Sequence, residues 1–344
     1  MHDTTEVTLR EVIIVGGGLA GLSAAIYLGR SRRDTLLIHS DRSMAKWEAD
    51  VQNYLGFPNG IDGNELLAKG MAQVSRYQVD IAEDDIQSMV RRKEGGFLLD
   101  SAGRSYRARR VLLATGLTHL PPDIPGVRDC LGRSLFFCKD CDAYRVQGKR
   151  IAIIGRNNEA ADYALAMLLF SRNVMICLNG QPPTWDSDHA GWLTEYRIPI
   201  RSEPVCMLRH DDGQLESLIL DQDERVEVEA VFTTRGDVYH SALAESVGAA
   251  LDREGQVIVD DCLKTSVPGL YAAGCVTPAN CQMIIAAGQG AIAAQAINRD
   301  LFEESLRLHA LPTFEQTFRA CPPHAGTTDS NRFTPSTFPT SSPG

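Results

Sequence analysis

Residues 10–30, REVIIVGGGLAGLSAAIYLGR, leave the chain few ways to fold. An apolar strand over residues 12–15 runs into a glycine turn, and an Ala/Leu-rich helix follows over about residues 19–28. Gly16, Gly18 and Gly21 fit G-x-G-x-x-G. The first glycine permits the tight turn, the second lets backbone approach a pyrophosphate, and the third lets helix and strand pack closely. The helix N-terminus offers N–H groups and a positive dipole end to phosphate. A glycine turn alone is a weak signal; strand before and helix after make it a dinucleotide-binding unit. The second strand, DTLLIHS, ends at His39-Ser40-Asp41, so the acid that often holds an adenosine ribose is displaced from the strand end.

The chain has 344 residues, enough for two ordinary domains, and is 44% hydrophobic and 23% charged, enough for a real core. A net charge of −10 argues against nucleic acid as a partner. No apolar run reaches the roughly eighteen residues of a membrane span. The opening MHDTTEVTLREVIIVGGG lacks a basic segment followed by an apolar one, so no signal peptide is expected and the cytoplasm is the default compartment. Nine cysteines are too few and too scattered for a disulfide scaffold, so most are expected to be buried thiols.

Residues 134–142, SLFFCKDCD, place Cys138 and Cys141 in a CxxC followed at once by Asp142. A metal site needs three or four ligands, and no second CxxC or CxxH accompanies this one, while the eight histidines are dispersed. Two unrelated buried cysteines remain an alternative. A redox pair has a mechanism: a CxxC at a helix start has a lowered thiol pKa, one thiolate attacks a disulfide, and the other resolves the mixed disulfide. Asp142 is placed to serve as a helix N-cap, a role compatible with others.

Further segments carry a resemblance. VQNYLGFPNGIDGNEL (51–66), VLLATGLTHLPPDIPG (111–126), SLFFCKDCD and TSVPGLYAAGCVTPANCQMIIAAGQGAIAAQAI (265–297) stand in the order found in the low-molecular-weight thioredoxin reductase family, and about residues 11–300 resemble it. The resemblance implies an α/β fold with two Rossmann-like (three-layer) nucleotide-binding domains. The FAD-binding domain would be discontinuous, over 1–118 and 245–311. Residues 119–244 would be an inserted NAD(P)-binding-like domain carrying the CxxC, and 312–344 a flexible tail. Phe314 and Phe318 in that tail are weighed as a cap over the flavin.

The resemblance also implies roles. FAD would be held by Gly16, Gly18, Leu19, Ala20, Gly21, His39, Asn53, Thr115, Gly116, Gly274, Cys275, Gln282 and Met283. Cys141 would face the flavin, Cys138 would meet the partner, and Asp142 would move protons. The partner would be a thioredoxin-like protein or a small dithiol or disulfide, and the chain a homodimer.

Two departures stand out. In KRIAIIGRNNEAADYALAMLL (149–169) the second strand–glycine–helix unit keeps Gly155 but has Arg156 and Asn157 where the family has glycines, with the helix expected over 160–169. After the strand NVMICL, residues 179–185 (NGQPPTW) lack the basic cluster that would clamp a 2′-phosphate. Standard NADPH use is therefore not expected. A second flavin or another nicotinamide nucleotide over 155–185, ferredoxin as donor, or a dithiol oxidase remain open. The alternatives are an NADPH-dependent thioredoxin reductase and a non-catalytic flavin-binding redox sensor. Cys275 stands where the family has Asp on the ribityl chain. Cys275 and Cys281 are expected to be inert, with a second redox pair as the lesser reading.

Overall fold

The computed structural model describes residues 7–234 and 236–311. Its first sheet is built on β1 (Leu9–Val15), β2 (Thr35–His39) and β3 (Ser105–Leu113). In space it runs Asp80–Glu83, β2, β1, β3, Phe97–Asp100, Ser88–Arg91, with Leu270–Ala272 also paired to β3. Contacts among Asp80–Glu83, β2, β1, β3 and Leu270–Ala272 are parallel. The Ser88–Arg91 and Phe97–Asp100 strands join antiparallel.

β1 begins three residues before the apolar run because Leu9 and Arg10 pair with Arg107 and Ala108. Polar edge residues extend a ladder without marking it in the hydropathy pattern. Val12, Ile13 and Ile14 are fully buried, which is what a strand covered on both faces requires. α1 (Leu19–Arg30) covers one face through Ala20, Ala24, Ala25 and Leu28, and shares a core with Ala293, Ala294 and Ile297. A Cβ on Gly290 would collide with the Ala20 carbonyl, so the two helices meet at their small residues.

A short helix, α2 (Lys139–Asp142), precedes the second sheet's central strands, β4 (Ile151–Ile154), β5 (Val174–Cys177) and β6 (Ala230–Thr233). The order is Ile200–Arg201, β5, β4, β6, Leu135–Phe136, all parallel. α3 (Asn158–Met167) follows β4 and packs Ala160, Ala161, Ala164 and Met167 into the core beneath it. It starts earlier than the apolar pattern suggests because Asn157 caps it, accepting from the Ala160 N–H at 3.1 Å. α4 (Ser187–Glu195) comes next.

Residues 216–234 divide between two sheets. Gln214–Leu220 and Arg225–Glu227 join the antiparallel strand Val205–Asp211, whereas β6 belongs to the parallel sheet. Leu117–His119 pairs antiparallel with Asp237–Tyr239, so the chain passes twice through one narrow ribbon between the two sheets. Each sheet carries a strand–glycine–helix unit, which is the two-unit Rossmann-type α/β architecture expected from the sequence.

α5 (Met283–Arg307) closes the described fold. By contact density the chain separates into Met1–Leu301 and Phe302–Gly344; of the latter, residues 302–311 are described, as the end of α5 and a turn. Phe314 and Phe318 lie outside the described residues. Among those residues no helix is long and apolar enough to cross a membrane.

Candidate active site

The first glycine loop is shaped by close approach. Gly16 sits at φ 118°, and a side chain there would run into the Ala114 carbonyl. Gly21 lies against the Gly16 carbonyl, so its absent Cβ serves strand–helix packing. Gly18 caps α1 with no side chain over the first-turn N–H groups, and no acid occupies that turn. This leaves the positive end of the helix exposed to an incoming phosphate.

The loop opens into a cavity of about 650 Å³, within the range of cofactor pockets. Gly16, Gly18, Leu19, Ala20, His39, Asn53, Thr115, Gly116, Gly274, Cys275, Gln282 and Met283 all line it. Gly21 does not, being one layer below. Asp41, the displaced acid, is occupied: its carboxylate takes an ion pair from Lys46 at 2.5 Å. The Thr115 hydroxyl donates to the His240 carbonyl at 2.7 Å, which ties the cavity rim to the ribbon between the sheets. A side-chain-free loop at one end, apolar walls and a sulfur pair at the other fit a flavin dinucleotide.

That sulfur pair is Cys138–Cys141, a disulfide with Cα atoms 5.3 Å apart, which leaves neither thiolate free for a metal. Both cysteines line the cavity. Cys138 caps α2, its sulfur accepting from the Cys141 N–H at 3.1 Å. α2 is a single turn, so stabilisation of a Cys138 thiolate falls to this one N–H more than to a helix dipole. The Gln282 side-chain amide donates to both sulfurs, at 3.3 Å to Cys138 and 3.2 Å to Cys141. Asn53 in turn donates to the Gln282 carbonyl at 3.0 Å. Two residues expected as flavin contacts thus also hold the sulfur pair.

Asp142 is buried, 4% exposed, and lines the same cavity. Its carboxylate takes an ion pair from Arg145 at 2.8 Å and makes no helix-cap bond, so the N-cap reading is not what the residue does. Arg145 also reaches Asp50 at 3.9 Å. Burial pushes the Asp142 carboxyl up to about 6 against the opposing pull of Arg145. Glu48, on the cavity wall, is pushed up to about 7 by burial and then by the Asp142 charge. Sequence reading missed Glu48, Asp50 and Arg145, since nothing in the order of residues marks them as neighbours of Asp142.

Glu48 gives a prediction about stability. Its folded-state pKa lies above the ordinary carboxyl value of 4.5, so its contribution is fully present below that value and is lost as pH rises through about 7. Glu48→Gln is therefore expected to raise Tm at pH 8, by about 2 °C, and to leave it unchanged at pH 4.5. Differential scanning calorimetry at the two pH values checks this; a gain that does not depend on pH would contradict it.

Cys275 and Cys281 form a second disulfide, Cα atoms 5.0 Å apart, and both line the cavity. These two are therefore not free thiols, and among the described cysteines buried free thiols are a minority. Of the free ones among the described residues, Cys130 and Cys177 are buried, Cys206 is exposed and Cys262 is intermediate. Burial pushes the Cys177 thiol up to about 12, which keeps it unreactive.

The second glycine loop is closed by its own residues. The Asn157 side chain occupies the α3 N-terminus, where a phosphate would otherwise bond, and also accepts from the Thr234 hydroxyl at 3.3 Å. The Arg156 carbonyl takes the Thr184 N–H at 2.6 Å, and Asn158 is tied to Asp186 through its Nδ2 at 2.8 Å and by the Asp186 N–H at 2.9 Å. Asp186 caps α4 by accepting from the His189 N–H, and that bond, ahead of the His189 ring, holds its carboxyl down at about 2. Asp186, paired with the His189 ring at 2.7 Å, thus stands beside this loop.

The pyridine nucleotide-disulphide oxidoreductase family model matches residues 10–294. The chain belongs to that family. It is similar to the thioredoxin reductases of Treponema pallidum (30% identity over 83% of this chain and 95% of that one) and Bacillus subtilis (27%, 85% and 95%). The crystal structure of the Bacillus anthracis protein TrxB matches with a TM-score of 0.79 at 28% identity, over 86% of this chain and 99% of its own. Membership makes the chain an FAD-dependent disulfide oxidoreductase of thioredoxin reductase-like type. The large cavity is of the kind such a cofactor needs, and a disulfide lies in its wall.

Proposed function

We propose that the protein passes electron pairs between FAD and the Cys138–Cys141 pair, and between that pair and a partner dithiol or disulfide, without standard use of NADPH. The observation that carries the last clause is the Asn157 side chain seated on the α3 N-terminus, in a loop tied to residues 184–186. A pyrophosphate there would have to displace those bonds and face Asp186. Residues 119–244 act as the inserted domain, between the two FAD-binding segments 1–118 and 245–311.

Bound FAD supplies two-electron chemistry next to the sulfur pair. The chain does the rest. Gly16 to Ala20 would hold the cofactor's pyrophosphate through backbone N–H groups, with Gly21 packing the turn beneath them. His39, Asn53, Thr115, Gly116, Gly274, Cys275, Gln282 and Met283 shape the remaining wall. A partner thiolate attacks Cys138, the Cys138–Cys141 bond breaks, and Cys141 leaves as thiolate. The partner's second thiolate then releases Cys138 and closes the partner's own disulfide, leaving two electrons and two protons on the pair. Asp142, poised near pH 6, accepts and returns the thiol protons. The partner is a thioredoxin-like protein or a small dithiol, the chain a homodimer, and the compartment the cytoplasm.

The second reading is an NADPH-dependent thioredoxin reductase, favoured by the names of the relatives. Calorimetric titration of the FAD-loaded protein with NADP+ separates the two. No saturation up to about 1 mM is expected, since a loop without its phosphate contacts forfeits more than the roughly 4 kcal/mol that separates micromolar from millimolar binding. A micromolar Kd would overturn the reading.

A further inference from the structure

The FAD cavity holds a second disulfide that the exchange just described does not use. Cys275–Cys281 closes a loop of six-residue separation at the start of α5. Cross-links across such short loops restrict the unfolded chain least, so a purely stabilising role gives this pair little to do. Cys281 is exposed whereas Cys275 is partly covered, so one sulfur is open to attack from outside. Gln282 follows Cys281 directly in the chain, and its amide touches both sulfurs of Cys138–Cys141. The two disulfides therefore share one cavity and are joined through one residue.

We propose that Cys275–Cys281 is a second exchange centre, relaying electron pairs between an outside dithiol and Cys138–Cys141. The inference rests on the reading that Cys138–Cys141 cycles. An outside thiolate attacks the Cys281 sulfur, the Cys275–Cys281 bond breaks, and Cys275 leaves as thiolate and takes a proton. The dithiol's second thiolate closes its own disulfide and frees Cys281. Cys281 then attacks the Cys138–Cys141 disulfide, and Cys275 resolves the mixed disulfide. Cys275–Cys281 is re-formed, and two electrons with two protons now reside on Cys138 and Cys141. Run backwards, the same steps deliver electrons outward.

The test is thiol labelling rather than turnover. The FAD-loaded protein is equilibrated without oxygen at graded ratios of reduced to oxidised dithiothreitol, quenched in acid and alkylated, and each cysteine is read by peptide mass spectrometry. Both pairs are expected to open over ratios within about tenfold of each other. If Cys138–Cys141 opens fully while Cys275–Cys281 stays closed, the second pair is a staple and the relay is overturned. If Cys138–Cys141 itself stays closed, the function proposed above fails first.

Cys275→Ser combined with Cys138→Ser or with Cys141→Ser then leaves one sulfur in each pair. A disulfide from Cys281 to the remaining partner is expected in at least one of the two variants. Opening of Cys275–Cys281 in the unaltered protein without that cross-link in flavin-loaded variants overturns the relay. Should neither double variant fold, the labelling ratios of the unaltered chain still decide it.

Discussion

Cys141→Ser is expected to bind FAD as the unaltered protein does and to lose dithiol-driven flavin reduction by at least about a thousandfold, the scale of removing a nucleophile that acts within a unit. The variant keeps Cys138 only as a thiol, so a partner thiolate finds no disulfide to open, and although a partner disulfide can still be captured on Cys138, no second sulfur resolves it and no electron pair is passed on. Anaerobic stopped-flow absorbance in the flavin bands measures the rate, and the flavin spectrum before mixing shows that the site is intact. The contacts predict this asymmetry: Cys138 keeps its place as cap of α2, while the serine at position 141 removes only the second sulfur. An unchanged rate would sink the assignment of Cys138–Cys141 as the working pair.

Asp142→Asn is expected to slow the same step about a hundredfold at neutral pH. The carboxyl titrates near 6, raised from 3.8 by burial, so above that pH it is the carboxylate that can accept a thiol proton. In the unaltered protein the rate should rise as pH increases through about 6; in the variant that step should vanish. Arg145→Met removes the cation that holds the carboxyl down, so the step should move to higher pH, with the variant still folded. A merely structural Asp142 would lower the rate at every pH by the same factor and leave the shape of the profile unchanged.

The parts of this site carried by contiguous motifs were legible in the sequence. The glycine loop at 16–21, the CxxC and the segment around Gly274 each announce a local backbone geometry, and the fold brings all three to one cavity. What was not legible depends on pairs distant in the chain. Glu48 and Asp50 stand about ninety residues from Asp142 and Arg145, and no periodicity links them. The altered loop at 155–158 could be read as a loss of glycines, but its closure by Thr184 and Asp186 could not, because turn residues carry no signal of what they will bond. The pairing of Cys275 with Cys281 was not legible because their spacing matches no redox signature; only the turn between Gly274 and α5 brings them together. Asp142 was half legible: its place after the CxxC suggested a proton carrier, while its burial under Arg145, which sets where it titrates, comes from packing.

The central claim is that electrons enter and leave through sulfur and not through NADPH. The most direct measurement is an anaerobic visible-absorbance titration of the FAD-loaded protein, first with NADPH and then with dithiothreitol, after counting flavins per chain. The account predicts that NADPH leaves the flavin bands unchanged and that the dithiol bleaches them. Rapid bleaching by stoichiometric NADPH, or none from the dithiol, would contradict it.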